Sequence, residues 1–98
     1  MDIDKKREGS QLIVTLAGEL NTATAPDLEA ELANEVGPDD TIVFDMTDLL
    51  YMTSAGLRIL VACDAATGGR GAVILRGVCD EIREVLEVTG FDTVLTVE

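Results

Sequence analysis

The chain has 98 residues, of which 47% are hydrophobic and 27% charged, a balance typical of one folded domain rather than of a disordered segment. Its formal net charge of -12 repels phosphate backbones and anionic lipid head groups, which argues against nucleic acid and membrane surfaces as partners. Histidine is absent and there are only two cysteines, Cys63 and Cys79, so we expect reduced core thiols, no disulfide framework, no metal site and no cofactor.

The sequence carries no sign of export or membrane insertion. No stretch approaches the roughly 18 consecutive apolar residues that a membrane-spanning helix needs. The first residues, MDIDKKREGSQ, lack the apolar segment of a signal peptide. We therefore expect a cytoplasmic protein in which residues 1–98 form a single domain.

A β-hairpin is predicted at the start of the chain. A short strand is followed by a turn at Glu8, Gly9 and Ser10, and then by a second strand with apolar residues at every second position. The apolar residues of that second strand are Leu12, Val14 and Leu16.

A helix is predicted next, in the stretch TATAPDLEAELANEVG. Thr24 is a plausible N-cap, and the Gly37-Pro38 pair ends the helical pattern. The buried stripe of this helix should consist of Leu28, Leu32 and Val36.

The rest of the chain alternates between the two kinds of element. TIVFDM, AVILR and DTVLTV are predicted strands, and SAGLRILVACDAATGG and CDEIREVLEVTG are predicted helices, the last with an apolar face of Ile82, Val85 and Leu86. The order β-β-α-β-α-β-α-β predicts an α/β fold, a small mixed sheet of four to five strands with about three crossover helices.

Ser54 in the stretch MTSAGL is the candidate functional residue, because it lies at the predicted start of a helix. A catalytic serine needs a general base, and the chain has no histidine to provide one. Two interpretations remain open from the residues alone: Ser54 caps the helix, or it carries a phosphate, which the N–H groups and dipole of a helix start favour.

Other polar motifs have simpler explanations. The stretch GGRG at residues 68–71 lacks the lysine of a phosphate-binding loop and is expected to end a helix. The acidic pairs Asp39-Asp40 and Asp80-Glu81 are expected to be solvated or to complement a helix dipole.

The predicted second helix is more apolar than a sheet-covering helix needs to be. From Ala55 to Ala66 only Arg58 and Asp64 are charged. Either some of this apolar surface faces a partner, or its many alanines are simply harmless when exposed.

Two longer stretches carry a family resemblance. LAGELNTATAPDLEAEL and FDMTDLLYMTSAGLRIL, with the closing VCDEIREVLEVTGFDTVLTV, resemble the STAS domain shared by sulfate transporters and bacterial anti-sigma factor antagonists. The resemblance implies that the protein binds an anti-sigma factor that is also a serine kinase, that this kinase phosphorylates Ser54, and that a serine phosphatase resets it. It also implies a partner-binding set at Asn21, Thr22, Thr53, Ser54, Ala55, Gly56, Leu57 and Arg58.

The sequence departs from the family pattern at two positions, Asn21 and Thr53, where the family usually has aspartates. Both keep a hydrogen-bonding oxygen but lose a negative charge. The resemblance therefore leaves an alternative: an unphosphorylated STAS interaction module, for example a subunit of a stress-signalling or lipid-transport complex. A small enzyme or nucleotide-binding protein is the third hypothesis, disfavoured because the residues form no catalytic constellation; we expect no enzymatic activity.

Overall fold

The computed structural model describes residues 1–98, which form one mixed five-stranded sheet with the strands in sequence order. The predicted hairpin is confirmed, since the first two strands pair antiparallel around the turn at Gly9 and Ser10, while all later neighbours are parallel. The elements in chain order are β1 Asp2–Glu8, β2 Gln11–Leu20, α1 Ala25–Leu32, β3 Thr41–Met52, α2 Ser54–Ala66, β4 Val73–Arg76, α3 Asp80–Thr89, a 3-10 turn Phe91–Thr93 and β5 Thr96–Val97.

All three helices cover the same face of the sheet. Each parallel strand lies next to the one before it, and right-handed crossovers that advance in one direction place their helices on one side. The core bears this out, because residues of all three helices pack in a single cluster with alternate residues of the strands. Its fully buried side chains include Leu12, Leu16, Leu20, Leu28, Phe44, Met46, Leu60, Leu75, Ile82 and Leu86.

The opposite face of the sheet has no helix over it. The registered residues Ile13, Val43 and Ile74 cross its centre, and only Val43, on the central strand, is fully buried. On β1 this face carries four exposed charged residues, Asp2, Asp4, Lys6 and Glu8. The residues between them face the helices. Lys5, on the helix side, forms ion pairs with Glu31 and Glu35.

The first helix is shorter than the predicted stretch. It ends at Leu32, because the C-cap Ala33 already has a non-helical ψ of 126° and Asn34 follows with a left-handed φ of 65°, so that the chain turns and the Glu35 N–H donates to the Leu32 carbonyl oxygen. Leu28 and Leu32 are buried as predicted, whereas Val36 lies beyond the helix and packs half-buried against the core.

The loop after α1 is tied to β1, which corrects the prediction that Asp40 is simply solvated. The Asp40 carboxylate accepts hydrogen bonds from Arg7 at 3.1 Å and from the Gly37 N–H at 2.8 Å. The Arg7 guanidinium and the Gly37 N–H together hold the pKa of Asp40 below its usual value. The Arg70 side chain closes the other side of the loop by donating to the Asp40 carbonyl oxygen at 2.7 Å.

Two strands differ from their predictions. The third strand continues past the expected TIVFDM to Met52, because β2 stays paired with it through two register shifts. The last strand was expected over DTVLTV but covers only Thr96 and Val97. Residues 91–95 instead form a helical turn, in which the N–H groups of Val94 and Leu95 bond to the Phe91 carbonyl oxygen.

Candidate functional site

The site lies at the carboxyl ends of the parallel strands β2 and β3. Leu20 and Met52 are paired across the two strands, and the Thr53 N–H donates to the Leu20 carbonyl oxygen at 2.9 Å. Asn21 and Thr53, which follow that last pair, therefore leave the sheet side by side. The fold thus brings together the two stretches that carried the family resemblance.

Each of the two stretches that meet at the site contains a glycine that its backbone geometry requires. Gly18 has a φ of 101°, which L side chains rarely adopt, and it lies where the pairing of β2 with β3 shifts register. A Cβ added at Gly56 would lie 2.6 to 2.8 Å from side-chain atoms of Leu20 and Met52. Gly56 therefore allows the first turn of α2 to pack directly onto the ends of the two strands.

The start of α1 is closed by side-chain hydrogen bonds. Asn21 Oδ1 accepts from the N–H groups of Ala23 and Thr24 at 2.9 and 3.1 Å. The Thr24 hydroxyl accepts from the Asn21 N–H and donates to the Glu19 carbonyl oxygen, both at 2.9 Å. Thr24 is the N-cap as predicted, but its side chain makes no capping bond to the helix, so the side-chain oxygen that closes this turn belongs to Asn21.

The start of α2 lacks such bonds. Its N-cap is Thr53, whose side chain makes no capping bond, and Ser54 is the first helical residue. The interpretation of Ser54 as the cap is therefore wrong, because the cap position is one residue earlier. Ser54 is exposed, whereas the Thr53 hydroxyl oxygen is buried and has no hydrogen-bond partner.

Acidic residues are missing from the start of α2 in a chain that has 19 of them. The first turns of α1 and α3 do carry acids: Asp27 in α1, and Asp80 and Glu81 in α3, the latter two exposed as predicted. Negative charge is favourable at a helix start, so an acid-free start next to an exposed serine leaves room for an added anion.

Two shallow apolar grooves flank α2. One, of about 460 Å³, lies between α1 and α2, and the other, of about 450 Å³, lies between α2 and the end of α3. Arg58 lines both grooves, and Ser54 lines the second one together with Phe91. Apart from Arg58, the exposed residues of α2 are small, which fits either of the two explanations that the sequence left open for its alanines.

The predicted partner-binding residues differ in accessibility. Thr22, Ser54 and Arg58 are exposed, and Asn21, Thr53 and Ala55 are half-buried. Gly56 and Leu57 are buried, so their side of the helix packs on the sheet rather than facing outward.

Sequence reasoning missed an exposed apolar pair directly before the site. Leu50 and Tyr51 are 67% and 46% exposed at the end of β3. This part of β3 extends beyond β4, which pairs only with residues 42–45. The signal in the sequence was the apolar run LLYM, which is too long to be buried on one face of a strand.

The cysteines give the site no reactive group. Both are free; Cys63 is buried beside the groove between α1 and α2, and Cys79 is half-buried. Burial raises the pKa of the Cys63 thiol to about 11, so it stays protonated at neutral pH.

No group of three or more histidine, cysteine, aspartate or glutamate side chains is arranged to hold a metal ion. None of the helices has both the length and the apolar character needed to cross a bilayer.

Comparison with known proteins identifies the family. The family model for the STAS domain matches residues 2–98. The chain belongs to the STAS family. Among its relatives, BtrV of Bordetella bronchiseptica, which is named as an anti-sigma factor antagonist, is 34% identical over 99% of this chain and 85% of its own length.

Solved structures show the same STAS fold. An anti-sigma factor antagonist from Mycobacterium paratuberculosis matches with a TM-score of 0.81 at 24% identity, over 98% of this chain and 83% of its own. The unphosphorylated form of the anti-sigma factor antagonist SpoIIAA matches with a TM-score of 0.81 at 16% identity, over 99% of this chain and 88% of its own. The predicted mixed sheet with three crossover helices is confirmed by these matches.

Proposed function

We propose that this STAS protein is an anti-sigma factor antagonist that binds an anti-sigma factor serine kinase in a partner-switching cascade, and that phosphorylation of Ser54 controls the binding. The observation that carries the proposal is an exposed serine at an acid-free helix start, within a family whose relatives include BtrV. We further propose that residues 1–98 form a single domain and that the protein acts in the cytoplasm. It would act by binding its partner and would have no enzymatic activity.

The modification would be an ordinary phosphoryl transfer. The bond between Ser54 Oγ and the γ-phosphorus of ATP forms as the bond from that phosphorus to the leaving ADP oxygen breaks. The serine proton passes to a base on the kinase, since the first turn of α2 carries no carboxylate and the chain has no histidine to accept it. A serine phosphatase would later hydrolyse the ester with water and release inorganic phosphate.

Phosphorylation would act on binding through charge. A phosphate adds about -1.5 to -2 charges at neutral pH. Burying that charge in an interface without a matching partner group costs several kcal/mol, and about 1.4 kcal/mol already changes an affinity tenfold. The dianion at Ser54 therefore suffices to release the kinase without a change of fold.

The partner-binding residues would contribute in two ways. Thr22, Ser54 and Arg58 would contact the kinase directly, with the half-buried Asn21, Thr53 and Ala55 at the margin of the contact. Gly56 and Leu57 would act from within, by holding α2 against the sheet.

The first experiment maps the modification, and the chain provides its own control because Ser10 is its only other serine. The protein is isolated from its native cells, and the peptide that contains residues 51–58 is analysed by tandem mass spectrometry. We expect phosphate on Ser54 and its loss when the cognate kinase gene is deleted. With purified kinase, Ser54→Ala should abolish phosphate incorporation, and Ser10→Ala, at an exposed hairpin turn, should leave it unchanged.

A binding experiment then tests the switch. Ser54→Asp should weaken binding to the purified kinase by about tenfold or more, whereas Ser54→Ala and Ser10→Asp should bind like the wild type. Equal binding by Ser54→Asp and Ser54→Ala would rule out control by charge at this residue.

Persistent absence of phosphate would favour the unphosphorylated interaction module instead. One observation supports keeping that alternative: the position before Ser54 is Thr53 rather than the usual aspartate, and its hydroxyl is buried without a partner. Co-purification with a transporter ATPase or a stress-signalling assembly rather than with a kinase would then identify the module's role.

A further inference from the structure

Arg58 differs from every other cation of the chain. Of the seven lysines and arginines, four form ion pairs: Lys5, Lys6, Arg7 and Arg76. Arg70 and Arg83 donate hydrogen bonds to backbone carbonyl oxygens. Arg58 is exposed and makes neither kind of contact, although the chain has 19 acidic residues with which it could pair.

Arg58 also lies where it can reach Ser54. The two residues are four apart on α2 and line the same groove. Side chains at this spacing are neighbours on a helix surface, and long side chains in helices point back toward the N-terminus. The first turn of α2 carries no acidic residue to compete for the guanidinium, and Glu29, which lines the groove between α1 and α2 together with Arg58, forms no ion pair with it.

We propose that Arg58 is the intramolecular counter-ion of phosphorylated Ser54, and that this pairing withdraws the guanidinium from the kinase. This inference rests on the proposed function and adds its internal mechanism. In the unmodified protein, Arg58 stands free between the two apolar grooves and is offered to a carboxylate of the kinase. In the phosphorylated protein, the guanidinium binds the phosphate, because the paired geometry of its N–H groups matches phosphate oxygens.

The proposal gives phosphorylation two effects on the interface. It adds negative charge at Ser54, and it removes the one free positive charge of the helix that lies between the grooves. A mechanism based on repulsion alone would involve only the first effect. The two mechanisms therefore differ in what happens when Arg58 is replaced.

The ion pair is tested without any partner. Phosphoserine is placed at position 54 of the full chain by genetic encoding, and its second pKa is measured by phosphorus NMR. Arg58→Gln should raise this pKa, by about 0.3 to 0.5, because the counter-ion that favours the dianion is lost. Arg58→Lys should give an intermediate value, and the difference should shrink at high salt.

Arg76→Gln is the matched control, because it removes the same charge from the sheet face without helices, where Arg76 pairs with Glu98. It should leave the phosphoserine pKa at the wild-type value. An Arg58→Gln protein with the wild-type pKa would overturn the proposal, provided that its urea midpoint shows it to be folded.

Binding to the purified kinase completes the test. In the wild type, phosphorylation should weaken binding by a larger factor than in Arg58→Gln, whose unmodified form should already bind more weakly. An equal factor in both proteins would overturn the role of Arg58 and leave the proposed function intact. If phosphorylation did not weaken binding of the wild type at all, the proposed function itself would fail, and with it the withdrawal of Arg58 from the kinase.

Discussion

At the start of α1, Asn21 and Thr24 hydrogen-bond to each other and to the neighbouring backbone, whereas at the start of α2, Thr53 makes no capping bond and Ser54 faces solvent. Both helices follow the carboxyl ends of neighbouring strands, after the paired residues Leu20 and Met52. The difference shows that side-chain hydrogen bonds stabilise the start of α1 but not that of α2, which is what the proposed modification of Ser54 requires, since a functional residue is often left without local stabilising contacts.

The largest effect is expected where α2 meets the sheet. Helix propensity alone predicts that Gly56→Ala stabilises the chain, since alanine is favoured over glycine by about 1 kcal/mol in a helix. The contacts predict the opposite: the added Cβ overlaps Leu20 and Met52, and such overpacking costs about 2 kcal/mol. Urea unfolding decides the sign, and Leu20→Val in the same chain should restore part of the loss.

A pair of matched threonine variants tests the contrast next. Thr24→Val removes a hydroxyl with two good hydrogen bonds and should lower the free energy of unfolding by about 1.5 kcal/mol. Thr53→Val removes a buried hydroxyl without a partner and should be neutral or stabilising by up to about 1 kcal/mol. Equal losses in the two variants would contradict the difference between the helix starts.

Asn21, which is half-buried, and Ser54, which is exposed, give a second comparison of the two helix starts. Asn21→Ala should cost about 1 kcal/mol, because the N–H groups of Ala23 and Thr24 lose their acceptor. Ser54→Ala should change the free energy of unfolding by less than about 0.5 kcal/mol, since surface substitutions away from caps rarely do more. A larger cost at Ser54 than at Asn21 would revive its interpretation as the cap.

The smallest effect concerns pH, and it separates both helix starts from the rest of the chain. The side chains at these two starts, Asn21, Thr24, Thr53 and Ser54, are not titratable. The effect of each variant there on the free energy of unfolding should therefore be independent of pH across the acid range. Arg7→Gln should behave differently, because the pKa of Asp40 is lowered in the folded protein from its usual 3.8.

The sign for Arg7→Gln follows from that lowered pKa. The stabilisation by the Asp40 carboxylate is present above pH 3.8 and is lost as the pH falls through the folded-state pKa. The gap between wild type and Arg7→Gln in urea unfolding should therefore be widest near neutral pH and narrow below pH 4. Lys6→Gln, at an exposed pair in the same strand, serves as the control.

Most of the fold was predictable because its elements have strong periodic patterns. The alternation in β2 and the apolar face of α3 gave the right elements, with Ile82 and Leu86 fully buried as expected. Ends of elements were less predictable, because they depend on tertiary contacts. The long pairing of β3 with β2 and the helical turn after Gly90 left no mark in local periodicity.

The sequence predicted which residues meet where β2 and β3 end, but not the hydrogen bonding around Ser54. Motif resemblance indicated Ser54, and the structure accounts for the glycines of both motifs. Whether Ser54 or Thr53 occupies the cap position depends on a one-residue difference in where α2 begins, which sequence patterns cannot resolve. The isolation of Arg58 likewise emerges only when the pairing of the other six cations is known.

The edges of the sheet have a consequence for how fast partners can exchange. The outer edge of β1 carries charged residues along nearly its whole length, and β5 at the opposite edge has only two residues. Charged or very short edge strands discourage another chain from adding a strand to the sheet. We therefore expect partners to bind through side chains of the helices rather than by adding a strand to the sheet. Such a complex can dissociate without breaking a row of backbone hydrogen bonds between strands.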